Sequence, residues 1–127
     1  MQNEIRSAKE NMGEVASPGA VDIRLPLAAA LQRILSVTSP SSVILFGSHA
    51  RGDADAGSDI DLMVIEATVD NPALEAARLY RAVGWVGVGV DILVYSESEF
   101  ARRSAVSGTV LHQALTEGKM VYERSCH

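Results

Sequence analysis

Three aspartates have a spacing that suits a catalytic or metal-binding site. Asp59 and Asp61 are separated by one apolar residue, and Asp91 is the only charge in the apolar run Val90-Asp91-Ile92-Leu93-Val94. Residues two apart in a strand point to the same face, which puts the first two Cα atoms roughly 6–7 Å apart. Carboxylates that close repel each other, and a hard divalent cation neutralises them. The pattern predicts a cation site formed by all three acids, provided that their strands are neighbours.

A glycine and a serine precede these acids. Gly47 and Ser48 directly follow the apolar run Ser42–Phe46, and ten residues separate Ser48 from Asp59. A turn of small residues can bring backbone N–H groups and a hydroxyl close to phosphate oxygens. A phosphate site beside paired carboxylates is what metal-assisted attack on a nucleoside triphosphate requires. We therefore interpret Gly47 and Ser48 as phosphate-binding residues.

The sequence leaves more than one role open for three other residues. Arg51 could clamp a phosphate or pair with Asp53 or Asp55 to hold the loop. His49 is not expected to bind the metal, because Mg²⁺ prefers oxygen ligands. Trp85, which lies between glycines, could stack on a nucleobase, although a core or interface position is the commoner one for an aromatic residue.

The ordered set of Gly47-Ser48, Asp59-x-Asp61 and Asp91 resembles the DNA polymerase β-like nucleotidyltransferase superfamily, and most closely its minimal MNT branch. The resemblance covers Leu27 to Glu123. It implies transfer of AMP from ATP to an acceptor hydroxyl, with release of pyrophosphate. It also implies two Mg²⁺ ions held by the three aspartates, which are then both catalytic and metal-binding, and a nucleotide held by Gly47, Ser48 and Arg51.

Members of the MNT branch are typically antitoxins paired with helical HEPN toxins, so the resemblance implies a HEPN toxin as partner and one of its tyrosines as acceptor. About 100 residues suffice for a nucleotide-binding core. We therefore expect the acceptor on another chain or at a homo-oligomer interface. Two alternatives stay open: a nucleotidyltransferase acting on a small molecule, and an antitoxin that neutralises its toxin by binding alone.

The composition limits the kinds of protein that this chain can be. The chain has 127 residues and a net charge of −5, which disfavours strong binding to a nucleic-acid backbone. Cys126 is the only cysteine, so no internal disulfide forms and a cytoplasmic location fits best. No apolar stretch has the length of a membrane span. We expect a flexible or partner-docking segment over residues 1–20 and a nucleotidyltransferase domain over residues 21–127.

The elements that position these residues follow from periodicity and turn signals. We predict an α/β (α+β) fold, in which a mixed β-sheet is flanked by helices, as in the polymerase β-like nucleotidyltransferase core. In one helix, begun by Asn71-Pro72 and ended by Gly84, we expect the buried side to include Leu74, Ala77 and Tyr80. The predicted strands are Ser42–Phe46, Asp59–Ile65, Val90–Val94 and Lys119–Glu123.

Overall fold

The computed structural model describes residues 21–124, which form a four-stranded sheet with five helices. The segment predicted over residues 1–20 lies outside the described residues, as does the end of the chain after residue 124. The elements in chain order are α1 (Arg24–Leu35), β1 (Ser42–Phe46), α2 (Ser48–Arg51), β2 (Ile60–Glu66), α3 (Pro72–Val83), β3 (Val90–Ser96), α4 (Glu97–Arg103), α5 (Val110–Glu117) and β4 (Lys119–Glu123).

The strands lie in the order β3-β2-β1-β4. β1 is antiparallel to both β2 and β4, whereas β2 and β3 are parallel and are connected through α3. A parallel pair needs such a crossover because the chain must return to the starting end of the sheet. The predicted mixed sheet flanked by helices is confirmed. The strands that carry the acids are indeed neighbours, with Asp61 opposite Asp91.

Alternation along the strands divides the apolar residues between the two faces of the sheet. On one face, Ile60, Leu62 and Val64 of β2 belong to a core cluster that includes buried residues of α1 and α3. On the other face, Met63 and Ile65 pack with buried residues of α5. Asp61 shares the parity of Met63 and Ile65, so its carboxylate belongs to the second face.

Helix ends follow the sequence signals closely. Asn71 caps α3 by accepting a hydrogen bond from the backbone N–H of Leu74 (3.2 Å), and Ser96 caps α4 by accepting one from Glu99 (3.1 Å). Such caps satisfy N–H groups that have no partner inside the helix. Within residues 21–124, no helix combines the length and the apolar character needed to cross a bilayer.

The predicted buried side of α3 is wrong. Leu79 and Val83 face the sheet and are almost fully buried, whereas Leu74 is 67% exposed and Tyr80 42% exposed. Residues four apart share one side of a helix, and the pair Leu79 and Val83 defines the side that meets the sheet. Tyr80 reaches the edge strand instead, where its hydroxyl accepts a hydrogen bond from the backbone N–H of Ile92 (2.8 Å).

Candidate active site

The three aspartates meet at one end of the sheet. Asp59 immediately precedes β2, Asp61 is the second residue of β2, and Asp91 is the second residue of β3. The parallel register puts Asp61 directly beside Asp91, since both strands start from the same end. Asp59 and Asp91 are exposed and Asp61 is half-buried. The structure therefore brings together the three acids that the sequence singled out.

Among the described residues, no arginine or lysine balances the charges of this cluster. Within residues 21–124, no arginine or lysine forms an ion pair with Asp59, Asp61 or Asp91. Burial raises the pKa of Asp61, and the neighbouring carboxylates of Asp91 and Asp59 raise this pKa further, against an opposing effect of His49. The cause is physical: a half-buried carboxylate beside like charges is costly to ionise.

Two glycines allow the carboxylates to approach the backbone. Gly47 has a φ of +76°, and a Cβ on it would overlap the Asp61 carboxylate. A Cβ on Gly89 would likewise overlap the Asp59 carboxylate. Any side chain at either position would displace an acid. Sequence analysis singled out Gly47 but missed Gly89, whose only signal was a glycine just ahead of an acid-bearing strand.

The turn after β1 presents free hydrogen-bond donors. The backbone N–H groups of Ala50 and Arg51 both donate to the carbonyl oxygen of Gly47 (3.0 Å each), which closes the short helix α2. In the part of the chain that the structure describes, the hydroxyl of Ser48 and the N–H groups of Ser48 and His49 have no protein acceptor. These are the groups predicted to meet phosphate oxygens.

Unlike Ser48, the other two polar residues of this region, Arg51 and His49, have hydrogen-bond partners within the protein. Arg51 pairs through Nε with Oδ2 of Asp53 (3.3 Å), one of the two alternatives in the sequence, and its phosphate role stays a prediction. His49 donates from Nε2 to the carbonyl oxygen of Ser58 (3.1 Å), because a carbonyl can only accept. His49 thus ties α2 to the residue before Asp59, a positioning contact that sequence analysis missed.

Residues 27–112 match the family described as the nucleotidyltransferase domain. The chain belongs to this family. A solved structure of a candidate minimal nucleotidyltransferase shares 33% identity with it over 78% of this chain and 95% of that chain, with a TM-score of 0.51. A candidate nucleotidyltransferase from Sulfolobus solfataricus has 23% identity over 80% of this chain and 83% of that chain, and its TM-score of 0.56 shows the fold alone.

A toxin–antitoxin complex with AMP-PNP is 28% identical over 75% of this chain and 72% of that chain, with a TM-score of 0.48. No curated protein matches the chain.

The donor set of this nucleotidyltransferase domain fits a hard divalent cation. Asp59, Asp61 and Asp91 offer only oxygen atoms, which Mg²⁺ prefers, and no protein cation among residues 21–124 competes for them. Within that same range, no group of three His, Cys, Asp or Glu side chains is already arranged as a metal site.

A second acidic pair lies at the opposite end of β2. Burial raises the pKa of Glu66 to about 7, helped by a hydrogen bond with Glu75 and opposed by one from Thr38. Arg78 forms two hydrogen bonds with Glu75 (2.9 and 3.1 Å) and lowers the pKa of that carboxyl. Here the acids have internal partners: Thr38 donates to Glu66 (3.0 Å), and Arg78 also donates to the carbonyl oxygen of Val37 (2.6 Å).

Proposed function

We propose that this nucleotidyltransferase domain transfers AMP from ATP, in a Mg²⁺-dependent reaction, to a tyrosine hydroxyl of a partner HEPN toxin and so acts as an antitoxin. The observation that carries the nucleotidyl-transfer part is the meeting of three carboxylates that pair with no arginine or lysine of residues 21–124, beside a turn with free donors. The choice of acceptor and of toxin partner is supported by the resemblance of the motif set to the MNT branch.

The turn after β1 would hold the outer phosphates of ATP. The Ser48 hydroxyl and the backbone N–H groups of Ser48 and His49 supply donors, and clustered N–H groups of this kind favour anions. The missing side chain of Gly47 keeps the phosphates and the Asp61 carboxylate within reach of each other. Binding at this turn would direct the leaving pyrophosphate toward β1.

Asp59, Asp61 and Asp91 would hold the Mg²⁺ ions. When bound, these ions neutralise phosphate charge and stabilise the charge that develops during an in-line displacement. The positioning supplied by the chain matters as much, because phosphoryl transfer gains most of its rate from alignment and charge stabilisation.

The transfer step balances without a further reactant. The acceptor oxygen bonds to the α-phosphorus of ATP, the bond from that phosphorus to its bridging oxygen breaks, and pyrophosphate leaves. The hydroxyl proton passes to the carboxylate of Asp91 and then to water, which is ordinary general-base chemistry. Asp91 is suited to this role because it is exposed at the outer strand of the acid cluster.

The proposal is tested by co-expressing the chain with a helical HEPN protein, to be sought in the genes that flank its own. Intact-mass measurement should show AMP added to that partner, with the site on a tyrosine. Asp91→Ala should slow the transfer roughly 100-fold while ATP affinity changes only a few-fold, because the other two acids remain. Asp70→Ala, the same change of an exposed acid outside the site, should transfer AMP normally.

An unmodified partner would contradict catalysis if the wild type and Asp91→Ala both still bound and neutralised it. Neutralisation by binding alone would then replace the proposed reaction. AMP found on a small molecule and never on the partner would instead identify the chain as a small-molecule nucleotidyltransferase.

A further inference from the structure

The backbone around Asp59 is held from both sides, although this residue precedes β2 and is not part of a regular strand. The peptide group before it is held at the carbonyl oxygen of Ser58, which accepts a hydrogen bond from Nε2 of His49 (3.1 Å). The peptide group after it is held at the N–H of Ile60, which donates to the carbonyl oxygen of Gly89 (2.9 Å). Because peptide groups are planar, holding both of them fixes the two backbone dihedrals of Asp59 and the direction of its side chain.

The contact at Ser58 depends on a side-chain donor. In the part of the chain that the structure describes, no backbone N–H donates to this carbonyl oxygen, so the imidazole of His49 is its partner. The neighbouring hydrogen bonds of the loop are local: Oδ1 of Asp55 accepts from Gly57 (2.9 Å) and from the Ser58 hydroxyl (3.2 Å). These bonds fix the turn itself, and the His49 bond ties the turn to α2.

His49 therefore belongs to both halves of the site. Its backbone N–H is one of the donors of the turn after β1, and its side chain holds the residue before Asp59. The carboxylate of Asp59 lies against Gly89, where a Cβ would overlap it. Groups that orient a metal ligand without touching the metal commonly change metal affinity by about 10- to 100-fold. His49 can thus act on the cation site without being a ligand, in agreement with the preference of Mg²⁺ for oxygen.

The imidazole could act on the acids in two ways that need to be separated. As a hydrogen-bond donor it fixes the backbone before Asp59. As a positive charge it opposes the rise in the pKa of Asp61 that burial and the neighbouring acids cause. A glutamine amide can donate as Nε2 does and carries no charge, so it retains the first effect and loses the second. The structure favours the first, because donor and acceptor are in direct contact.

We propose that His49 is a positioning residue of the nucleotidyltransferase site: its imidazole holds the Ser58 carbonyl so that the Asp59 carboxylate stays directed at the cation bound beside the phosphates. The inference rests on the proposed function, because it takes the acids as a Mg²⁺ site. It adds a residue whose side chain acts through Asp59 and touches neither the cation nor the transferred group.

Binding of Mn²⁺ to the full chain tests this without an acceptor. Electron paramagnetic resonance measures free Mn²⁺ in the presence of α,β-methylene-ATP, in which the bond to be broken is blocked, and a titration of this analogue alone gives the correction for Mn²⁺ that it binds by itself. His49→Met should weaken Mn²⁺ binding about 10-fold, because a side chain of similar length remains without a donor. His49→Gln, which has the same length and an amide, should stay within about threefold of the wild type.

Two controls show whether the effect passes through Asp59. In Asp59→Ala, adding His49→Met should weaken Mn²⁺ binding by less than about twofold, because the carboxylate that it positions is gone. His112→Met removes a hydrogen bond of the same kind, from Nδ1 to the carbonyl oxygen of Ser104 (2.9 Å), and should leave Mn²⁺ binding unchanged. Both histidines are only partly buried, so these replacements are expected to fold, and melting temperatures verify this.

The contrary results differ in what they overturn. Equal Mn²⁺ binding by His49→Gln and His49→Met would overturn the inference, because the hydrogen-bond donor would then make no difference. A loss that persists in Asp59→Ala would overturn it as well, because His49 would act through another group. Both results leave the cation site and the proposed function intact. A wild type that binds no Mn²⁺ beyond the analogue alone would remove the proposed function and this inference with it.

Discussion

The two ends of β2 carry acids of the same chemistry in opposite surroundings. At the start of the strand, Asp59 and Asp61 have no arginine or lysine partner among the described residues. At its end, Glu66 accepts a hydrogen bond from Thr38, and its neighbour Glu75 is paired with Arg78. Acids that are compensated inside the protein serve the structure, whereas uncompensated acids at an open edge are suited to bind an external cation.

The two regions also relieve charge repulsion by different means. Burial and the contact with Glu75 raise the pKa of Glu66 to about 7, so this carboxyl can keep a proton near neutral pH. Asp59 and Asp91 are exposed, and exposed carboxylates can accept cation ligation without losing contact with water. A proton relieves the repulsion between carboxylates at the Glu66 end of β2, and we propose that Mg²⁺ relieves it at the Asp59 and Asp61 end.

The largest loss of activity is expected from Gly47→Ala, which disturbs the acids at the start of β2 and leaves those at its end unchanged. The new Cβ would overlap the Asp61 carboxylate, and the φ of +76° is unfavourable for alanine. We expect nucleotidyl transfer to fall roughly 100-fold or more, because displacement of one acid disturbs the alignment on which the reaction depends. Transfer rates with saturating ATP and Mg²⁺ measure this loss.

Gly52→Ala is the matched control, because Gly52 lies at the other end of α2 with a φ of +90° and a Cβ on it would meet nothing within 4 Å. Alanine there meets the same unfavourable φ region as at Gly47 but displaces no acid of the site. Transfer by this variant should match the wild type. Equal losses in the two variants would mean that loop stiffness, and not the position of Asp61, explains the effect.

A smaller effect is expected from Glu66→Gln, and it depends on pH. The pKa of Glu66 is raised in the folded protein from 4.5 to about 7, so the folded state is favoured while the carboxyl is protonated. That stability is fully present below pH 4.5 and is lost as the pH rises through 7. Glutamine should therefore stabilise the protein above pH 7 by about 1 kcal/mol, a value reduced for solvent screening, and should change little at low pH.

Urea unfolding of the wild type and Glu66→Gln at pH 4.5 and at pH 8 would measure this difference. A gain of equal size at both pH values would show that the carboxyl charge is not its cause. A loss of Mg²⁺-dependent ATP binding in Glu66→Gln would contradict the assigned difference between the two ends of β2, because it would give Glu66 a role in binding.

Much of the fold could be predicted because its signals are local. The strands β1 and β4 and the cap at Asn71 follow from apolar runs and turn residues. The shared face of the acids could be predicted as well, since strand periodicity fixes the parity of Asp61 and Asp91. Their direct pairing also needed the strand order, which no local pattern contains.

Other features depend on contacts that the sequence does not display. The buried side of α3 was misjudged because Tyr80 looks apolar, yet its hydroxyl is satisfied by the edge strand. The need for Gly89 arises from Asp59, thirty residues earlier in the chain. Arg33, which precedes Trp85 by 52 residues, holds the loop after α3 through backbone oxygens, which any sequence offers equally. Long-range pairing of this kind appears only in the folded chain.

The most direct test of the central claim is a calorimetric titration of ATP, with and without Mg²⁺, into the wild type, Asp59→Asn/Asp61→Asn and Glu66→Gln. We expect the affinity of the double variant for ATP in the presence of Mg²⁺ to fall by about 100-fold or more, because two cation ligands are removed. Its melting temperature should be unchanged or higher, since carboxylate repulsion is removed as well. Glu66→Gln should bind ATP as the wild type does. An unchanged Mg²⁺-dependent affinity for ATP in the double variant would contradict a cation site formed by Asp59 and Asp61.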